Sequence, residues 1–311
     1  MNWLQGCDSF VRERVPLATL TSYRVGGPAE FYATPPDLAA LEQLLRRAAD
    51  ARRPVRVLGQ GTNLLAADDG VEGLVIHLPR SGFGAVTCAG RRVRAGAGLG
   101  LVTLVNWSVG QGLHGLECLQ GIPGTVGAAL RMNAGGKYGD IGRRVRRVSG
   151  LEYSGAPFEW SAEECGFMYR GSKLSGRIVT GCELELPRGD PAIGRMLLAE
   201  VYGDKAASQP LAARSAGCVF KNPSQAGLPP AGKLLDDLGL KGLRVGGASV
   251  STLHANFLIC EGQTLARDVA GLIRLVRQRV YEARGVLLEL EIEVWGMEPE
   301  ELLPSCCPLA A

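Results

Sequence analysis

The 311-residue chain has three histidines, His77, His114 and His254, and no Cys-x-x-Cys pair among its nine cysteines. That scarcity argues against a histidine metal centre, a structural zinc site and a disulfide framework, which need ligands or partners at set spacings. No apolar run approaches the roughly 18–20 residues of a membrane helix. The opening "MNWLQGCDSFVRERVP" lacks the apolar stretch of a signal peptide. The expectation is a cytoplasmic protein without a membrane segment. A formal charge of +3 is too small to argue for nucleic acid, but it leaves room for a local basic pocket that receives an anion. There are no internal repeats and no low-complexity segments.

Apolar residues make up 46% of the chain and charged residues 21%, an ordinary globular balance. Glycine is the outlier: 43 of 311 residues is about twice the usual ~7%. Many glycines bunch in "RVGGPA", "GQGTN", "GIPGTVGAA", "NAGGKYGD" and "RVGGAS". Glycine lets main chain approach a ligand closely, so several such loops in one chain point to a large cofactor wrapped by backbone.

The pattern is α+β, with neither the alternation of a barrel nor that of a doubly wound sheet. "PDLAALEQLLRRAADARR" places Leu38, Leu41, Leu44, Leu45 and Ala48 on a helical stripe with Asp37 as N-cap. "PVRVLGQGTNLL" reads as a strand running into a glycine turn, and "GLVIHL", "RRVRAGAG", "RVRRVSGLEY" and "RIVTGCELEL" read as further strands. "GLVTLVNWSVGQGL" reads as a helix, and "GIPGTVGAALRMNAGG" as a glycine loop entering a short one. Ser161 and Glu164 form a capping-box pattern. Composition shifts at "PRGDPAIG", residues 187–194, which sets a boundary between domains 1–189 and 190–311. A helix then ends near Tyr202, and a long amphipathic helix spans Thr264 to Arg284 with Gly285 as its stop. The last strand is "VLLELEIEVW", with Glu289, Glu291 and Glu293 opposite an apolar face; like charges in such a row raise each other's pKa. The tail with Cys306 and Cys307 reads as a flexible end.

Several constellations can carry chemistry. Gly59, Gln60, Gly61, Thr62 and Asn63 offer backbone N–H groups, a hydroxyl and an amide to a pyrophosphate, although the third glycine of a dinucleotide fingerprint is missing. Gly121, Ile122, Pro123, Gly124, Thr125 and Gly127 form a second loop that leads into a helix start. Two separated glycine loops fit a dinucleotide better than a mononucleotide. Arg170, between Tyr169 and "GS", presents a planar cation suited to a carboxylate or enolate oxygen. Cys218, in "RSAGCVFKNP", leaves four readings open: packing, nucleophile, metal ligand or proton donor. Asn222, Lys221 and Lys241 could receive an anion, and His254 precedes an apolar run.

Together "TSYRVGGPAEFY", "GQGTNLL", "GIPGTVGAALRMNAGGKYGD", "YRGS", "SQPLAARSAGCVFKNP", "AGKLLDDLGLKGLRVGGASVS" and "LELEIEVWG" resemble one family over nearly the whole chain. It is the UDP-N-acetylenolpyruvoylglucosamine reductases, the FAD enzymes of bacterial peptidoglycan precursor synthesis. The short interval from Arg170 to Cys218 resembles the shorter, second type. The resemblance implies an FAD-binding module of the vanillyl-alcohol oxidase type, with two subdomains over 1–189, then a substrate domain over 190–311. It implies FAD held by the loops at 59–63 and 121–127, NADPH as reductant, and UDP-N-acetylglucosamine enolpyruvate as the small-molecule substrate of a monomer. It implies that Arg170 stabilises an enolate, assisted by Glu291, and that Tyr169, Asn222, Lys241 and His254 contact substrate. The family's proton donor is commonly a serine at the position of Cys218. A thiol near pKa ~8.5 is more acidic than an alkyl hydroxyl, so Cys218 can do serine's work; a water or Glu291 is the rival donor. An FAD-dependent oxidase of another alcohol or sugar is the alternative activity. Such oxidases commonly tether flavin through a histidine, which neither glycine loop contains.

Overall fold

A computed structural model describes residues 3–225 and 227–304; Cys306 and Cys307 lie outside them. The chain is α+β and forms two compact units. The first gathers the chain up to Glu13, Phe31–Gln60 and Gly73–Lys205; the second gathers Arg14–Glu30, Gly61–Glu72 and the chain from Ala206 onward.

The first unit is built on a five-stranded antiparallel sheet. Its order is Pro157–Ser161, Val145–Glu152, Arg177–Glu185, Arg92–Gly96 and Val86–Ala89. Strand alternation divides its faces. Val93, Val148, Ile178 and Leu184 are buried with Leu104, Ala129 and Leu130, which come from the helices Leu101–Gly110 and Val126–Arg131. In register on the other face, Arg94 pairs with Glu183 at 3.2 Å, and Arg147 lies opposite Glu183. The helix Leu38–Asp50 begins as its sequence dictates, with Asp37 Oδ1 accepting the Ala40 N–H at 2.9 Å. It buries Leu41, Leu44, Leu45 and Ala48, whereas Leu38, expected on that stripe, stands 48% exposed in the first turn. Both halves of the Ser161–Glu164 capping box are made.

The second unit packs around the helix Ala266–Arg284, which buries Val269, Leu272, Ile273, Val276 and Val280 against Val219, Phe220, Leu234 and Leu258. Gly285, at φ 66°, ends it in the left-handed conformation. Asp68 holds the other end: its two oxygens accept the N–H groups of Ala266 at 2.8 Å and Arg267 at 3.0 Å.

Two sequence expectations change in extent. The helix expected to end near Tyr202 runs over Pro191–Ser208. The expected last strand survives only as Glu293–Trp295, parallel to Leu64–Ala66. The preceding residues hand their backbone bonds to a different partner. Lys221 N–H donates to the Glu289 carbonyl at 2.9 Å, and Glu291 N–H to the Val219 carbonyl at 2.7 Å.

Asp68→Ala removes the acceptors of two orphan N–H groups and a negative charge from a helix start. It is expected to lower the unfolding free energy by about 1 kcal/mol. Urea denaturation reads this as a lower midpoint at unchanged slope; an unmoved midpoint would mean that solvent serves those donors equally well.

Candidate active site

In the first unit, the two glycine loops meet. Gln60 Oε1 accepts the Gly124 N–H at 3.0 Å. A Cβ on Gly59 would stand 3.1 Å from Thr125 Oγ1, so the loops pack where only glycine fits without displacement. Thr125 caps the short helix that follows, accepting the Ala128 N–H at 3.4 Å. Gly127 lets that helix rest on Ala97, whose carbonyl accepts the Gly127 N–H at 2.9 Å. Ile122 donates its N–H to the Leu119 carbonyl at 3.0 Å, closing the turn before Pro123 and Gly124. His77 Nδ1 lies 3.0 Å from the Leu58 carbonyl and 3.2 Å from that of Gly59, which makes it a donor bracing the first loop.

Among the described residues, the N–H groups of Gly59, Gln60 and Gly61 have no protein acceptor. Successive N–H groups left open in a glycine turn suit the pyrophosphate of a dinucleotide. Gly61 is held at φ 64°, and a Cβ there would meet the Leu20 carbonyl at 2.1 Å. These loops fit FAD.

Arg170 sits on a tight turn in which Met168 and Gly171 exchange backbone hydrogen bonds, at 2.9 and 3.2 Å. Its φ of 54° is left-handed, which costs a non-glycine residue about 1–2 kcal/mol. The turn is anchored at both ends. Buried Asn133 donates from Nδ2 to the Met168 carbonyl at 2.9 Å, and Ser172 Oγ donates to the Arg131 carbonyl at 2.7 Å. Arg170 Nη1 donates to the Gly135 carbonyl at 2.7 Å, and its guanidinium stands 5.4 Å from the ring of Tyr169. Tyr169 itself is 60% exposed.

Sequence reasoning passed over Lys205. The helix Pro191–Ser208 lays it against Gly121, with Tyr202 beside it, and Lys205 Nζ donates to the Gln120 carbonyl. Burial, reinforced by the Arg170 charge and opposed by Cys118, pulls the Lys205 ammonium down to about 8. One helix turn placed far along the chain makes this contact, so no local pattern announces it.

In the second unit, the structure brings Cys218 and Glu291 onto paired segments. The Glu291 N–H donates to the carbonyl of Val219, next to Cys218, and Cys218 bridges to Phe257 on its other side. Asn63 joins the same frame: its Nδ2 donates to the Glu291 carbonyl at 3.1 Å, and its own carbonyl accepts the Glu293 N–H at 2.9 Å. Gly61 and Thr62 precede it on the same short segment. The row of glutamates is not uniform: Glu289 pairs with Lys221 at 3.2 Å, and Glu293 accepts from Trp295 Nε1 at 3.2 Å.

Asn222, Lys241 and His254 gather around the helix Ala231–Asp237. Asn222 Oδ1 accepts the Ala231 N–H at 3.0 Å, and Lys241 Nζ pairs with Asp236 at 2.9 Å. His254 closes on Gly232, where a Cβ would stand 2.7 Å from Cε1. Burial lowers the His254 pKa, and the Lys241 charge adds to it.

Residues 29–156 match the FAD binding domain family, and residues 209–295 match the C-terminal domain of UDP-N-acetylenolpyruvoylglucosamine reductase. A protein named UDP-N-acetylenolpyruvoylglucosamine reductase from Synechococcus sp. (strain WH7803) is 40% identical over 95% of this chain and 96% of its own length. One from Moorella thermoacetica is 42% identical over 90% of this chain and 92% of its own. The crystal structure of UDP-N-acetylenolpyruvylglucosamine reductase from Thermus caldophilus has a TM-score of 0.79 at 41% identity. It covers 92% of this chain and all of that one (100%).

Lys205 makes a pH-dependent prediction. Its folded pKa of about 8 lies below the 10.5 of an unburied lysine, so folding releases its proton between those values. The desolvation cost is full below pH about 8 and fades as pH rises toward 10.5, so this group's contribution to stability improves across that window. Amine-reactive labelling read by peptide mass should reach half its maximum at Lys205 near pH 8, against about 10.4 for ordinary lysines. A Lys205 profile coincident with the exposed lysines would contradict its burial.

Proposed function

The chain belongs to the UDP-N-acetylenolpyruvoylglucosamine reductase family, and from that premise we propose that it reduces UDP-N-acetylglucosamine enolpyruvate to UDP-N-acetylmuramate, with NADPH as reductant. Bound FAD would supply the hydride chemistry, with flavin N5 as the hydride donor, that links NADPH to C3 of the enolpyruvyl ether. Gly59, Gln60, Gly61 and the 121–127 loop would hold it. The reaction belongs to peptidoglycan precursor synthesis, in the cytoplasm, and the chain acts as a monomer.

Hydride at C3 leaves negative charge at C2, delocalised into the adjacent carboxylate. A fixed cation aimed at that oxyanion lowers the barrier. Arg170 takes this role; the anchoring of its turn by Asn133 and Ser172 supports that reading, since a held guanidinium needs no rearrangement as the charge develops. Cys218 gives its thiol proton to C2, which completes addition of hydride and proton across the double bond. Glu291 assists at the carboxylate end. Tyr169, Asn222, Lys241 and His254 contact the substrate, and the last three, gathered around the helix Ala231–Asp237, suit anionic parts of a nucleotide sugar.

The observation that supports this reading is the bond from the Glu291 N–H to the Val219 carbonyl at 2.7 Å, which ties the segment carrying Glu291 to the segment carrying Cys218. The oxidase alternative is not favoured, because the C-terminal half matches the reductase domain over residues 209–295.

The purified protein is expected to be yellow and to oxidise NADPH only when the enolpyruvyl substrate is added. Cys218→Ser should keep turnover. Cys218→Ala should bleach with NADPH but lose reoxidation by substrate by about 10²–10⁴-fold, the usual worth of a positioned proton donor. An alanine variant that turns over like wild type would move the proton donor elsewhere.

A further inference from the structure

Asn256 stands out in the second unit as a buried amide with every polar group engaged. It is 3% exposed. Its Oδ1 accepts the Phe220 N–H at 2.9 Å, and its Nδ2 donates to the Phe220 carbonyl at 2.8 Å. Its own carbonyl accepts the Val219 N–H at 2.9 Å, and its N–H donates to His254 Nδ1 at 3.2 Å. One side chain therefore serves both backbone groups of Phe220, as a neighbouring strand would. Residues 289–291 hold the opposite edge of the same segment, through Lys221 N–H to Glu289 and Glu291 N–H to Val219. Cys218 heads that doubly held segment.

The same residue sets the state of His254. A backbone N–H can only donate, so the Nδ1 that receives it carries a lone pair. The ring proton then sits on Nε2. The ring packs edge-on against Phe257 at 5.0 Å, which fixes its plane. An amide is the side chain this place requires. Aspartate ionised lacks the donor for the Phe220 carbonyl, and an aliphatic residue strands both groups in a buried site.

We propose that Asn256 is a positioning residue: one hub that fixes the spacing between the Cys218 thiol and the Nε2–H of His254. This rests on the reading that Cys218 supplies the C2 proton and that His254 contacts substrate. The hub acts on the protonation half of the reaction and leaves hydride acceptance from NADPH alone.

The test is rapid mixing of the full-length holoenzyme, wild type against Asn256→Ala, with each half-reaction followed by flavin absorbance. Flavin content and reduction by NADPH should stay within about twofold, while reoxidation by the enolpyruvyl substrate falls roughly 10- to 100-fold, as expected for a misplaced reacting group. The solvent deuterium isotope effect on reoxidation should rise, because a misaligned donor makes proton transfer limiting. Reoxidation at the wild-type rate overturns the proposal. So does an equal loss in both half-reactions, which would mark Asn256 as merely structural. A second measurement needs no variant: ¹⁵N chemical shifts of His254 in wild type at pH 7 should show Nδ1 unprotonated and Nε2 protonated. A proton on Nδ1 overturns the hub even if Asn256→Ala fails to fold. If wild-type enzyme reduced by NADPH is not reoxidised by the enolpyruvyl substrate, the functional reading has failed, and the His254 shifts still decide the hub.

Discussion

The hydrogen bond from the Glu291 N–H to the Val219 carbonyl, 2.7 Å long, joins two segments distant in sequence, and the candidate site residues Cys218 and Glu291 lie on either side of it. Each neighbour of that bond adds a brace. Asn63 donates to the Glu291 carbonyl, so the end of the first glycine loop is tied to the carboxylate-bearing segment. Asn256 takes the other edge of the cysteine segment through Phe220. The result is a three-part ladder in which the segments carrying Asn63, Glu291 and Cys218 are joined through backbone groups. Side chains that must meet a reacting carbon to within a fraction of an ångström need such support, because backbone pairing is stiffer than any single side-chain contact.

The first unit solves a related problem differently. Arg170 is presented on a tight turn at left-handed φ, a conformation most residues avoid. The cost is met by Asn133 and Ser172 at the two ends of the turn and by the Gly135 carbonyl, which accepts one guanidinium proton. An arginine can give up one of its donors and still offer the rest of its fork, which a lysine cannot do with the same directional control. Lys205, by contrast, sits against the second glycine loop in surroundings that weaken its charge.

What the sequence made legible follows the range of each interaction. Asp37, the Ser161–Glu164 box and Gly285 act within one helix turn, and each does what its local pattern predicts. The α+β class and the FAD-binding module followed by a reductase C-terminal domain were also readable, because glycine loops and family motifs persist along the chain. The last strand is shorter than its alternation predicts. Alternation of Leu288, Leu290 and Ile292 with glutamates looks the same whether a segment pairs continuously or, as here, changes partner from residues 219–221 to residues 64–66. Lys205, Gln60 and Asn256 were missed as braces for a single reason. Their partners are Gln120, Gly124 and Phe220, and contacts of such separation leave no periodic trace.

On the proposed function, a cysteine rather than a serine as the proton donor gives the ladder its meaning. A hydroxyl can be oriented by strong hydrogen bonds to its neighbours. A thiol is a weak donor and acceptor on a larger atom, so its own bonds orient it poorly. It is also far more acidic, which favours proton release to a carbanion. A cysteine in this role therefore trades directional hydrogen bonding for acidity, and its direction must come from the main chain. Cys218 heads a segment held on one edge by Asn256 and Phe257 and on the other by Glu289 and Glu291. That two-sided clamp fixes the backbone from which the thiol projects.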